Sequence, residues 1–175
     1  MSLPRLTNEL ATNWPLPDKY LVELGRVSAL WASLESLLNL CVGKLAGFDN
    51  INDPTPFILL THASFPQRLH MLSTLCEQLS PHAPNLGDYS TVISKLEAAQ
   101  KKRNRFMHNG ISHQPETNQF VLASGSARGK LKTSVDPVTP EDIRIAAEEV
   151  HLAMLALYKL VLQVSLKPRW AKDGT

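Results

Sequence analysis

The stretch 18-DKYLVELGRVSALWASLESLLNLCVGKLA-46 decides the fold. Its apolar residues Tyr20, Leu24, Val27, Trp31, Leu34, Leu38, Cys41 and Leu45 recur in alternating steps of four and three, which puts them on one stripe of a helix. Pro17 stands ahead of the stripe and Gly47 behind it, so start and stop signals bracket a single helix from Asp18 to Ala46. At 1.5 Å per residue such a helix is about 43 Å long.

Working outward, Asp49 to Pro56 is rich in Asn, Asp and Pro and reads as a loop. Phe65, Leu69, Leu72, Cys76 and Leu79 then repeat the same steps and predict a second helix that ends before Pro81. A third helix is expected over Tyr89 to Asn109, with Val92, Ile93, Leu96, Ala99, Phe106 and Met107 on one side and Gly110 as its stop signal. Ile111 to Asp136 breaks the period: Phe120 to Ser124 and Lys130 to Val135 flank a Gly125 to Gly129 turn, the pattern of a β-hairpin. Thr139, Pro140, Glu141 and Asp142 open a fourth helix, whose stripe is Ile143, Ala146, Val150, Ala153, Leu157, Leu160 and Val164.

Four amphipathic segments, each with one apolar stripe, bury those stripes together by packing as a bundle. The expected fold is therefore all-α, a four-helix up-down bundle with a β-hairpin inserted between the third and fourth helices. It forms one domain over residues 1–175, with a core at about 18–166 and flexible tails. The first helix is longer than the second can cover, which points to a homodimer that takes up the rest of its stripe.

Composition narrows the class. The chain has 175 residues and 43% apolar content, enough for a real core and too short for a second enzymatic domain. Cys41 and Cys76 fall at apolar helical positions, as small buried hydrophobes of a reducing compartment do. Met1 to Asn13 carries Arg5 and Glu9 and no apolar run of signal-peptide length, so the expected location is the cytoplasm. The apolar stretch Ala153 to Val164 is interrupted by Lys159 and is too short to span a bilayer. Net charge is +2, yet Lys101, Lys102, Arg103 and Arg105 crowd into five consecutive residues, which is either an anion-binding surface or a solvated helix face.

One of those cations is out of place. On a wheel at about 100° per residue, Arg103 occupies the middle of the third helix's apolar arc, where a leucine is expected. An unpaired guanidinium in a core costs several kcal/mol, so Arg103 must face a carboxylate, a phosphate or a wet cleft. Asn104 and His108 lie one turn apart, and the five-residue step from Arg103 turns His108 by roughly 140°, a gap that a long arginine side chain can close. The set combines a fixed cation, a titratable imidazole and an orienting amide.

The run Arg103-Asn104-Arg105-Phe106-Met107-His108 resembles the R-x4-H motif, with a polar residue after the arginine, of the HEPN family of helical-bundle proteins. The position at the end of the third helix, the long first helix and the excursion before the last helix extend the likeness over about Asp18 to Leu166. The resemblance implies a homodimeric endoribonuclease, needing neither metal nor cofactor, whose two motifs meet in a cleft between subunits. His108 would be general base or acid for attack of the RNA 2′-hydroxyl on the adjacent phosphate, Arg103 would neutralise phosphoryl charge, and Asn104 would hold His108 or the phosphate. Lys101, Lys102, Arg105 and Glu35 are the expected substrate-binding set around them. Toxin or defence roles fit this chemistry, with any antitoxin or nucleotidyltransferase supplied as a separate polypeptide. HEPN-like proteins also include modules that bind RNA, nucleotide or a protein partner without cleaving, and that reading stands beside the first.

Glu35 borders the first helix's stripe and is either a counter-ion for Arg103 or a solvated carboxylate. In the counter-ion case Arg103 is purely structural. His108 and His113 have no acid or cysteine at metal-binding spacing, and His62, His70, His82 and His151 read as surface or helix-border residues. Arg128, Lys130 and Lys132, with Arg169 and Trp170 in the tail, offer either an extension of an RNA path or a solubilising hairpin face and a frayed end.

Overall fold

A computed structural model describes residues 16–50, 52–126 and 129–166. The tails, and with them Arg169 and Trp170, lie outside the described residues, as does Arg128 in the hairpin turn. The described chain is mostly helical with a small antiparallel sheet: α1 (Asp18–Leu45), α2 (Thr55–Leu60), α3 (Phe65–Leu79), α4 (Tyr89–Met107), β1 (Gly110–Gln114), β2 (Gln119–Ser126), β3 (Lys132–Pro137) and α5 (Pro140–Leu157). Short 3₁₀ and π turns at Pro84–Leu86 and Tyr158–Leu162 complete it.

The long first helix runs as its period predicts and stops at Gly47, whose φ of 93° favours glycine. The expected loop after it is shorter than its composition implies. Asp53 accepts a hydrogen bond from the Thr55 backbone N–H at 2.9 Å, and Pro56 follows in the first turn, so a short helix, α2, starts there. Its Pro56 ring sits against Gly43 of α1, where an added Cβ would lie 2.7 Å from the ring. Gly43→Ala is therefore expected to destabilise by about 1 kcal/mol, overpacking outweighing the gain in helix propensity. Gly25, in the same helix, has open space around it. There alanine is expected to stabilise by up to about 1 kcal/mol, and urea unfolding of the two variants checks the opposite signs.

The sheet corrects the all-α expectation. Three strands, not two, form a meander in the order β1-β2-β3, with Ile111 opposite Leu122 and Leu122 opposite Asp136. The strand missing from the sequence reading, Gly110–Gln114, is short and mostly exposed, so its period of two is hardly marked by apolar residues. The chain enters it directly from α4, and Gly110 begins a strand rather than ending a helix. α5 opens with a reciprocal cap: Thr139 Oγ1 donates to Asp142 Oδ2 at 2.7 Å and accepts from the Asp142 N–H at 3.2 Å. It gives way to a π turn and a left-handed Gln163, which leaves Val164 exposed instead of on the stripe.

The Thr139 hydroxyl, and then its backbone N–H, hold the Asp142 carboxyl below its ordinary value of 3.8. A depressed carboxyl contributes stability that is complete above the unfolded value and is lost as pH falls through the folded one. The wild type is thus expected to lose a little stability below about pH 4 that Asp142→Asn does not lose, as read from melting curves across the acid range.

Two apolar clusters fill the interior. The first gathers Trp31, Leu34 and Leu38 of α1, Phe65, Leu69 and Leu72 of α3, Leu96 and Ala99 of α4, and Val150 and Leu157 of α5. The second gathers Tyr20 and Val27 of α1, Phe106 of α4, Leu122 of β2, and Ile143 and Ala147 of α5. The N-terminal part of the α1 stripe is thus covered within the chain by the sheet and α5. Tyr20 is tied down by its hydroxyl, which donates to the Val138 carbonyl at 3.1 Å. The cysteines are fully buried in the first cluster, where desolvation pushes the thiol of Cys41 up to about 12 and that of Cys76 to about 11. No described helix is long and apolar enough to cross a membrane.

Candidate functional site

Along α4 the buried residues Val92, Leu96, Ala99 and Phe106 keep the helical period, and Arg103 falls on the missing beat. Ala99 belongs to one apolar cluster and Phe106 to the other. On the facing helix α1, Trp31 belongs to the first cluster and Val27 to the second. Arg103 therefore lies at the seam between the two clusters, half-buried, with Cζ 5.4 Å from the centre of the Trp31 ring.

From this seat Arg103 Nη1 makes two contacts, 3.0 Å to Asn104 Oδ1 and 2.7 Å to His108 Nε2. A guanidinium only donates, so Nε2 accepts here with its lone pair and the ring proton sits on Nδ1. The 140° offset is closed by the backbone as well as by side-chain length: His108 is the residue that caps α4, with φ −118° instead of a helical value. Its N–H still donates to the Asn104 carbonyl at 3.2 Å. The exposed imidazole is thereby anchored at the helix end and turned toward the arginine. Asn104 holds Arg103, not His108, with its side chain.

Both hydrogens of Nη1 are committed by these contacts. Arg103 Nε is buried and has no partner, and Nη2 makes no hydrogen bond among the described residues. No carboxylate pairs with Arg103 among them either. Among these residues Arg103 thus has no acid beside it, and with Nε enclosed, Nη2 is the donor left for an oxygen of a phosphate or carboxylate. The site thus offers an unneutralised cation beside an imidazole.

The remaining expected residues are dispersed. Glu35 does not meet Arg103; its Oε1 accepts from Arg68 Nη2 at 2.6 Å, while Arg68 Nη1 donates to Asn39 at 2.9 Å. The structural alternative, in which Glu35 neutralises Arg103, is therefore not what the chain does. Lys102 pairs with Glu149 of α5 at 3.2 Å and Arg105 with Asp136 of β3 at 3.7 Å. Both pairs are roughly half exposed, so each contributes little and is easily exchanged for a polyanion. Lys101 is exposed and, with Lys130 and Lys132, forms no ion pair among the described residues. The four-cation run therefore divides over several helix faces, and only Arg103 turns inward.

Two residues escaped the sequence reading. Trp31 was one apolar position among eight, and the signal that marks it is the inward arginine on a neighbouring helix, since an aromatic face is a natural seat for such a cation. Arg68, whose side chain is 10% exposed, stands next to Leu69 on the α3 stripe and carried no pattern of its own. Among the histidines expected on surfaces or helix borders, His151 is buried. His113 packs on Phe120 with ring centres 5.2 Å apart and contacts Asn118 Oδ1 at 3.0 Å, away from the Arg103 group. No three His, Cys, Asp or Glu residues converge as a metal cage among the described residues. A separate cavity of about 690 Å³ lies between α1, α2 and α3, lined by apolar residues such as Val42, Leu60 and Met71 and by none of the Arg103 group.

A scan against family models finds no match to this chain, and searches of curated proteins and of solved structures find no significant relative or structural neighbour.

Proposed function

We propose that this chain is a metal-independent endoribonuclease of HEPN type. In this reading α1, α3, α4 and α5 are the four helices of an up-down bundle and the sheet is its insertion. The observation that carries the reading is the 2.7 Å contact between an inward, unneutralised Arg103 and the His108 imidazole. An RNA phosphodiester gripped by the unneutralised Arg103 guanidinium sets the neighbouring ribose 2′-hydroxyl beside the His108 imidazole, whose Nε2 lets go of Arg103 Nη1 to take a proton. The 2′-oxygen attacks phosphorus, its proton passes to a general base, the bond to the 5′-oxygen breaks, and that oxygen takes a proton from a general acid. Arg103 stabilises the charge gathering on the non-bridging oxygens. The products are a 2′,3′-cyclic phosphate and a free 5′-hydroxyl. One His108 serves one proton transfer, so a homodimer that brings two motifs into one cleft supplies both base and acid. Lys101, and Lys102 and Arg105 once released from their exposed acids, add phosphate contacts along the strand. A cytoplasmic toxin or defence protein, restrained by a separate antitoxin or nucleotidyltransferase, is the setting this chemistry fits.

One observation favours a second reading, a non-catalytic dimeric module for RNA, nucleotide or a protein partner: the Nε2 lone pair that a base needs is occupied by Arg103 itself. Incubating the purified protein with end-labelled RNA in EDTA separates the two. Fragments ending in cyclic phosphate are expected; RNA that is bound yet stays intact at every pH tested leaves the binding module.

A further inference from the structure

We propose that Trp31 is a positioning residue, its indole face seating Arg103 so that Nη1 is committed to Asn104 and His108 while the guanidinium keeps its charge unneutralised. This role rests on the anion-gripping function of Arg103 described above, though not on cleavage. The Trp31 ring is 5% exposed and is braced by Phe65, itself 6% exposed, at a centroid separation of 4.5 Å. Arg103 Cζ rests 5.4 Å from that ring.

The choice of an aromatic seat has a chemical consequence. A carboxylate in the same place would hold the cation equally well, but its oxygens would fill the donor fork and cancel the charge. An aromatic face attracts the cation through its quadrupole and supplies no oxygen lone pairs. Glu35, one helical turn from Trp31 on the same face of α1, is the acid nearest in sequence that could compete. It is held instead by Arg68 at 2.6 Å. Trp31 and Arg68 thus act in the same sense: one seats the arginine without neutralising it, and the other occupies the acid that would.

The test uses the full chain in a Trp14→Phe, Trp170→Phe background, which leaves Trp31 as its sole indole. Titration with a 2′-deoxy-substituted oligonucleotide, which cannot be cleaved, is expected to change the Trp31 emission, and Arg103→Met is expected to abolish that change. Trp31→Leu keeps apolar bulk but no aromatic face, and in the wild-type background it should weaken oligonucleotide binding about tenfold, whereas Trp31→Phe should stay within about threefold of wild type. Folded Leu and Phe variants with equal affinities overturn the role, since packing alone would treat them alike. An emission that ignores the oligonucleotide also overturns it, and decides the matter if the Leu variant does not fold. Binding that needs both Arg103 and Trp31 without any RNA cleavage removes the nuclease and leaves this role standing. Cleavage that needs Arg103 but is indifferent to Trp31→Leu removes this role alone.

Discussion

His108→Ala is expected to lower RNA cleavage in EDTA by at least about a hundredfold in kcat, the contribution typical of one positioned general acid or base. The same substitution should leave the fold untouched. His108 is an exposed helix cap whose ring makes one contact, to Arg103, and a surface change of this kind costs within about 0.5 kcal/mol. Arg103→Ala is expected to cost about a hundredfold to a thousandfold, as loss of a preorganised donor to a charged transition state does. Because the two side chains act on one phosphate, their effects should not add, and the double variant should be about as inactive as the worse single one. Single-turnover cleavage of one labelled RNA by the three variants, with melting curves alongside, checks all of this. Full activity in folded Arg103→Ala and His108→Ala proteins would show that the cluster does no chemistry.

Glu35→Ala is expected to have the largest effect on stability of the charged-residue changes, about 2–4 kcal/mol by urea unfolding. The substitution strands Arg68, whose side chain is 10% exposed, with Asn39 as its remaining hydrogen-bond partner and with Nε already unsatisfied. A fully enclosed pair would cost more, but the Glu35 side chain is 35% exposed and water screens part of the interaction. Replacing both partners by methionine should recover most of the loss, because no buried charge is then left alone. Arg103→Ala gives the contrast: with no ion pair to break, it should cost about 1 kcal/mol, the worth of an aromatic contact and some stem packing. A loss as large as that of Glu35→Ala would mean that Arg103 is held by an acid after all. The stability difference between the two arginines therefore separates a structural cation from one kept free for a ligand.

The four long helices were legible in the sequence because each repeats its apolar residues with a period near 3.6, which follows from backbone geometry within the helix itself, whereas the six residues of α2 are too few to show a period. Tyr20 to Leu45, Phe65 to Leu79 and Ile143 to Leu157 show it directly. Arg103 was legible for the same reason, as a charge on the beat where a leucine belongs. The third strand was not. Gly110 to Gln114 is polar and short, and its pairing with Gln119 to Ala123 is a contact between segments, which no periodicity within the strand encodes.

By itself, then, the amino-acid order determined which faces turn inward and that an arginine, an asparagine and an imidazole lie within one reach at the end of a helix. Only the tertiary structure decided where that arginine's charge goes. Ion pairing depends on which side chains of different helices arrive within about 4 Å of each other, and here Arg68 takes Glu35 while Arg103 meets Trp31. A helical wheel carries the direction of a side chain but not the identity of what waits for it across the core, and that identity is what leaves one guanidinium without an acid.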